Sequence, residues 1–361
     1  MLPSMQLFRM RSRVTVAESL VLFALAWCAT AHSAETPAAK PKAKSAAAAP
    51  GGYAARDDVR AYAAEVAKET GLPRRDIERW FAAAKFQPRI VALMDRPLLE
   101  PPKWFGYAPS FLSPDRVAGG VRFWRDNEAA LAKAQQDYGV PAEIIVAIIG
   151  VETYYGRNIG SYRVLDALAT LAFDYPRRAS FFRGELKEYM LLARAQGFSP
   201  LEAKGSFAGA MGMPQFMPGS YRRFAVDFDG DGHADLWHSS ADVIGSIANY
   251  LARHDWQPGQ PVLAPASVAD NARDTAYRRL DGGISERRPL PAWQADGIDL
   301  RDPPFEALMD PVGLLMLEES SDGDASLWIA YPNFYTITRY NKSRLYAAAV
   351  WALGERLRAA R

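Results

Sequence analysis

The sequence predicts a mainly α protein of the α+β class, with a small β-containing part near its C-terminus. Three observations predict it. Apolar residues recur at helical spacing through much of residues 57–254. Pro, Gly and Asp then scatter through 258–311, and two short alternating runs follow, Val312–Leu317 and Leu327–Tyr331, which read as strands. Ser343–Arg358 closes the chain as a helix rich in Ala and Leu.

Taken in order, Arg9, Arg11 and Arg13 precede an apolar run from Leu20 to Ala31. The run is about 12 residues, short of the roughly 20 that span a bilayer, and it suits the apolar core of a signal peptide. Ala29-Thr30-Ala31 supplies small residues where a signal peptidase cuts, leaving a mature chain with 40 basic and 40 acidic residues. A rival processing is lipidation at Cys28, since Leu25-Ala26-Trp27-Cys28 has the outline of a lipoprotein box, although Trp27 stands where a small residue is wanted. Both readings export the protein. Residues 35–52 are an Ala/Pro/Lys tract that reads as a flexible tether. Helices are expected over Asp57–Thr70, stopped by Gly71, over Pro73–Ala84, through Ser113–Tyr138, and over 141–153, 176–196 and 241–254.

Composition narrows the function. Of 361 residues 49% are hydrophobic, and 9 Trp, 16 Tyr and 17 Phe exclude global disorder. With 43 Lys+Arg against 41 Asp+Glu, nucleic acid is not an expected partner, because such binders draw affinity from neutralising phosphates. One Cys excludes a disulfide framework and a Cys-based zinc site, and four His without an HExxH argue against a zinc hydrolase. A globular enzyme or binding protein remains.

Three motifs carry chemistry. Pro141 to Glu152 is an apolar helix, with Pro141 suited to its first position and Gly156 to a stop after it. At 100° per residue, Ile145, Ile148 and Ile149 lie within about 60° of Glu152 around the axis, so this carboxyl sits in the apolar stripe. Such surroundings raise a carboxyl pKa, as a general acid needs. The alternative is a core Glu paired with an arginine. Tyr154 and Tyr155 are placed to line a sugar site. In Gly205–Pro218 (GSFAGAMGMPQFMP), Gly and Pro forbid a long helix while Phe207, Met211, Met213, Phe216 and Met217 want burial. This suits a loop packed under a cleft, or an ordinary buried turn. In Asp227–His238, Asp227, Asp229, Asp231 and Asp235 occupy positions 1, 3, 5 and 9 of an EF-hand-type calcium loop, with Gly232 at 6 and His233 offering its carbonyl. His238 stands at position 12, where a bidentate Glu is usual, so weaker calcium binding is expected unless Asp242 or water substitutes. The alternative is a solvated acidic turn.

Together these residues resemble the lytic murein transglycosylase B family. The likeness rests on Gly150-Val-Glu-Thr-Tyr-Tyr-Gly156, Leu165–Leu171, Tyr175-Pro-Arg-Arg178, Gly205–Pro218, the acidic loop, Ile244–Tyr250 and Thr338-Arg-Tyr-Asn341, and it runs from about residue 57 to the end. It implies a lysozyme-like catalytic core over 141–256, an α domain over 57–140 completed by a C-terminal helix at 341–361, and a small β-containing domain over 257–340, preceded by a signal peptide (1–31) and linker (32–56). It implies cleavage of the MurNAc–GlcNAc β-1,4 bond of peptidoglycan, with Glu152 as the sole catalytic carboxylate. Ser206 and Gln215 carry over as glycan-groove residues, and Tyr107, Arg177, Arg178, Tyr250, Tyr340 and Asn341 as further substrate-binding candidates. Met213-Pro214 and His238 depart from the family pattern.

No second acidic residue accompanies Glu152 within its motif, where ordinary glycosidases pair two, although a distant partner such as Asp174 stays open. Arg177 and Arg178 head an expected helix, where the dipole disfavours cations, so they face either an anionic group of peptidoglycan or Asp174 or Glu185. The rival readings are a hydrolytic muramidase and a calcium-stabilised, non-catalytic peptidoglycan-binding protein. A role beside cell-wall synthetic enzymes is compatible with each. The expected compartment is the periplasm, with an outer-membrane anchor if Cys28 is lipidated.

Overall fold

In the computed structural model, residues 52–96, 101–300 and 311–361 are described; the expected signal peptide, the Cys28 box and most of the tether lie outside them. Among the described residues no helix is long and apolar enough to cross a membrane.

The chain is mostly helical. Helix α1 (Asp57–Thr70) buries Val59, Tyr62, Ala63 and Val66 along one stripe and ends at Gly71, whose φ of 70° lets its N–H return to Ala67 O. Then come α2 (Arg74–Ala83), α3 (Pro88–Met94) and the short α4 (Trp104–Tyr107). The expected long helix through 113–138 is two: α5 (Pro114–Asp126), capped by the Ser113 hydroxyl, and α6 (Glu128–Tyr138). The break falls at Asn127, whose side-chain amide donates to Phe123 O at 2.8 Å. Asn competes well for such bonds and so ends helices.

At the centre lies α7 (Ala142–Thr153), in which Ile144 through Val151 are buried without interruption. The helix therefore has no solvated face, and the expected one-sided stripe understates its burial. Pro141 is its N-cap rather than its first residue. Helix α8 (Val164–Phe173) is buried at every position and was hidden for the same reason: no polar face marks its period. A 3-10 turn at Pro176–Arg178 leads into α9 (Ala179–Gln196). Strands β1 (Tyr162–Arg163) and β2 (Lys204–Gly205) pair antiparallel and close the base of the Gly205–Pro218 loop. The loop delivers the chain into α10 (Pro218–Phe224), the acidic loop and α11 (Ser240–Ala252).

The C-terminal part holds an antiparallel sheet of order β4-β3-β6-β5, with β3 (Leu263–Val268), β4 (Ile298–Leu300), β5 (Gly313–Glu318) and β6 (Ala325–Ala330). Two small helices, α12 (Arg273–Arg278) and α13 (Leu290–Ala295), accompany it. Strands β3 and β4 lie in the stretch where scattered Pro, Gly and Asp masked any alternation. The sheet serves two cores because side chains alternate across a strand. Leu314 and Ile329 join Trp293, Leu290 and Val312 in a small cluster, whereas Leu315, Leu317 and Ala330 join the main one. Trp328 meets Trp351 edge-on at 4.9 Å. Helix α14 (Pro332–Tyr340), within the stretch read as β-containing, sends Phe334 and Ile337 into the main core. The last helix, α15 (Arg344–Ala359), packs along α7 and brings its N-terminus to the end of that helix.

Candidate active site

Glu152 lies in the final turn of α7. The residue keeps some accessible surface, but its carboxyl is enclosed, and burial pushes its pKa up to about 7. The Tyr346 hydroxyl donates to Glu152 Oε1 at 2.7 Å and offsets part of that rise. Tyr346 is held there by local chemistry. Asn341 Oδ1 accepts from Ser343 N at 3.1 Å, and the Ser343 hydroxyl caps α15 by accepting from the Tyr346 N–H. Tyr107 on α4 and Tyr340 at the end of α14 complete the surroundings. Burial first, and the neighbouring Glu152 second, hold the phenols of Tyr107, Tyr340 and Tyr346 above the usual tyrosine range. All three stay neutral and leave the carboxyl facing donors and rings. Among the described residues no second carboxylate figures in what acts on Glu152.

The Gly205–Pro218 loop is joined to this centre at two points. Thr153 Oγ1 donates to Met213 O at 3.0 Å, and the Tyr340 hydroxyl donates to Pro214 O at 2.6 Å. Ser206 is buried, and its hydroxyl accepts from Ala208 N and Ala210 N, folding the loop on itself. Gln215, at φ 52°, donates its side-chain amide to Ile159 O and Gly212 O. Tyr250 meets Tyr340 edge-on at 4.9 Å and donates to Arg339 O, so it supports the ring beside Glu152. Asn341 anchors the turn into α15.

Other expectations are redistributed. Tyr155 is engaged in packing: its ring stacks on Phe123, its hydroxyl donates to Arg116 O at 2.9 Å, and a Cβ on Gly120 or Gly150 would approach that hydroxyl to 2.4 and 2.6 Å. Asp174 is engaged by Arg56 at 2.6 Å and by Tyr53 at 2.7 Å. Arg177 pairs with Asp95 at 3.3 Å, and the Arg178 guanidinium lies over the Phe181 ring at 4.4 Å. Neither arginine takes the expected Asp174 or Glu185; Glu185 accepts from Gly219 N instead.

In the acidic loop, carboxylate oxygens of Asp227, Asp229 and Asp242 lie within 4.8 Å of one another. Asp242, the substitute considered for position 12, thus joins positions 1 and 3. Asp231 accepts from His233 N, and Asp235 accepts from Trp237 N and meets the His238 ring at 2.9 Å. Three hard oxygen donors, one of them fully buried, fit a divalent cation such as calcium.

Sequence reasoning missed Tyr346 and Arg116. Arg116 is 4% exposed, donates to Gly150 O and to Ser110 O, and burial lowers its pKa. Ser343 signalled the start of α15, but nothing local signals which of its faces meets α7.

A buried helix that ends in an enclosed carboxyl and is tied to a glycine-rich loop is an arrangement that suits a glycan-cleaving site of the lysozyme-like class. The chain matches the transglycosylase SLT domain over residues 54–355, and it belongs to that family as a lytic transglycosylase of peptidoglycan. It is 42% identical over 320 residues to membrane-bound lytic murein transglycosylase B of Escherichia coli K12, covering 86% of this chain and 85% of that protein. Its fold is similar to soluble lytic transglycosylase SltB1 of Pseudomonas aeruginosa, with a TM-score of 0.79, 42% identity, and 84% and 99% of the two chains covered. It is similar also to Escherichia coli Slt35 in complex with calcium, with a TM-score of 0.77, 42% identity, and 86% and 96% covered.

Replacing Tyr346 by Phe removes the one hydrogen bond that lowers the Glu152 pKa. The pH at which activity falls on the alkaline side is therefore expected to move above about 7. A pH–rate profile of the variant checks this; an unmoved or lowered limb counts against the assignment.

Proposed function

We propose that Glu152 acts first as acid and then as base in cutting the MurNAc–GlcNAc β-1,4 bond without water. The observation that carries this is an enclosed carboxyl, with no second carboxylate acting on it among the described residues, that keeps its proton near neutrality. Glu152 protonates the bridging oxygen, and the GlcNAc side leaves as an alcohol. The positive centre at MurNAc C1 is stabilised by the substrate's own N-acetyl group. The MurNAc 6-hydroxyl oxygen then bonds to C1 and its proton passes to the Glu152 carboxylate, restoring the acid. The product end is 1,6-anhydromuramoyl. A single carboxyl serves twice because the nucleophile belongs to the substrate, which removes the need for the second carboxylate of a hydrolase.

Substrate contacts are assigned to Tyr107, Tyr340, and the atoms of Ser206 and Gln215 that the loop does not use, with Tyr250 and Asn341 supporting them. Arg177 and Arg178 are assigned to peptidoglycan carboxylates. The divisions at residues 140, 256 and 340 stand as this reading's domain limits, and export by signal-peptide cleavage or by lipidation at Cys28 as its route to the periplasm or the outer membrane. Association with cell-wall synthetic complexes is compatible with it. Mass spectrometry of fragments released from purified sacculi tests the chemistry. Anhydro-ended muropeptides are the expected product, reducing MurNAc ends would make the protein a hydrolase, and no release would make it a binder.

Asp227, Asp229 and Asp242 are assigned to a structural calcium ion, whose charge would neutralise the crowded carboxylates and tie the loop to α11. Calcium at about 100 times its Kd is expected to stabilise the fold by about 2.7 kcal/mol. Thermal melts with calcium and with chelator check this, and Asp242→Asn is expected to abolish the difference. Equal melts of the wild-type protein would remove the assignment.

A further inference from the structure

We infer that Arg116 is a positioning residue for Glu152, pinning the end of the helix that carries it. Arg116 is a buried guanidinium that, among the described residues, has no carboxylate partner and whose Nε has no hydrogen-bond partner. Buried charges are normally paired, so this one is costly for stability and calls for another explanation.

Its contacts converge on one place. The guanidinium donates to Gly150 O, two residues before Glu152, in a turn whose last carbonyls carry the negative end of the helix dipole. Past that turn the backbone is strained: Tyr154 and Tyr155 take φ values of 53° and 60°, a conformation costing roughly 1–2 kcal/mol per non-glycine residue. Such strain persists only where surrounding contacts over-determine it. Arg116 supplies contacts to both residues. Its guanidinium lies 4.6 Å from the Tyr154 ring, and its carbonyl accepts from the Tyr155 hydroxyl at 2.9 Å. On its other side it lies 5.5 Å from the Phe111 ring, which meets the Tyr107 ring, beside Glu152, at 4.7 Å in a tilted contact. Arg116 therefore reaches Glu152 along the backbone of α7 and through a ladder of rings. The charged and titratable groups facing that carboxyl are Tyr107 from α4, Tyr340 from α14 and Tyr346 from α15.

The inference rests on Glu152 being the catalytic acid. A merely structural arginine and a positioning one differ in what its removal changes. Arg116→Met keeps length and apolar contact with Phe111 and Tyr154 but removes the buried charge and the fork. The melting temperature is expected to hold or rise, while kcat on soluble glycan strands falls roughly 10- to 100-fold, since a shift of about 1 Å in a reacting group costs that much. KM is expected to stay within about twofold. Arg116→Lys, a point charge that cannot span both carbonyls, should fall between the two. It also supplies the test if the methionine variant fails to fold. Wild-type kcat in the folded variants, or a loss of activity that only tracks a loss of folded protein, would overturn the inference. Glu152→Gln measured alongside separates the two ideas: if it retains turnover, the assignment of Glu152 falls, whatever Arg116 does.

Discussion

Glu152→Gln is expected to abolish release of anhydro-ended muropeptides, a loss of roughly 10²–10⁴-fold for a general acid, while the folded protein still binds sacculi. The amide preserves shape and accepts from Tyr346, but it has no proton to give to a leaving oxygen. In the wild type, activity should decline as pH rises through about 7, because the acid form is lost there. The same group predicts a stability effect that runs in the same direction with pH. Its folded-state pKa of about 7 lies above the unfolded value of 4.5, so the folded state binds the extra proton between those values. Stability is then unaffected below 4.5, declines as pH rises toward 7, and carries the full penalty above it, at most about 3 kcal/mol. Glu152→Gln should consequently melt higher than the wild type at pH 8 and no higher at pH 4. Equal melting at both pH values, with turnover retained, would remove Glu152 from the chemistry.

Gly212→Ala is expected to cost the fold on the order of 3 kcal/mol or more, through two named mechanisms. Gly212 has a φ of 67°, where an L-residue is strained, and a Cβ there would stand 2.4 Å from Leu236 O. The clash is with backbone, so no side chain can yield. It falls where the Gly205–Pro218 loop meets the acidic loop, next to the Met213 N–H that donates to Leu236 O at 2.8 Å. Because Thr153 also bonds Met213 O, displacing this loop disturbs the end of α7, and activity should drop with stability. Melting should fall by several degrees, at roughly 2–4 °C per kcal/mol. A melting temperature within about 2 °C of the wild type would mean that the loop relaxes around the new methyl.

Much of the site was legible because its signals are local. A carboxyl sharing an arc with three isoleucines betrays burial wherever the helix packs, and its raised pKa follows. Four aspartates around two glycines declare an acidic turn. What stayed illegible depended on distant partners. The carboxylate that converges with Asp227 and Asp229 is Asp242, which α11 brings over the loop. Arg177 meets Asp95, and Asp174 meets Arg56, each across long sequence separations. Helix α8 escaped notice because a helix buried on every side has no polar face to mark its period.

The sequence by itself determined the mainly helical class, the acidic character of the loop and the apolar setting of Glu152. Periodicity, turn residues and motif spacing act over a few residues, and side chains a few positions apart report on them. Only the tertiary structure decided what surrounds that carboxyl. Tyr346 reaches Glu152 across 194 positions of chain, and Arg116 grips the helix end from α5. Which face of one helix meets which turn of another is settled by the packing of whole surfaces. No local pattern records that choice, because the same stripe of apolar residues can bury against more than one partner.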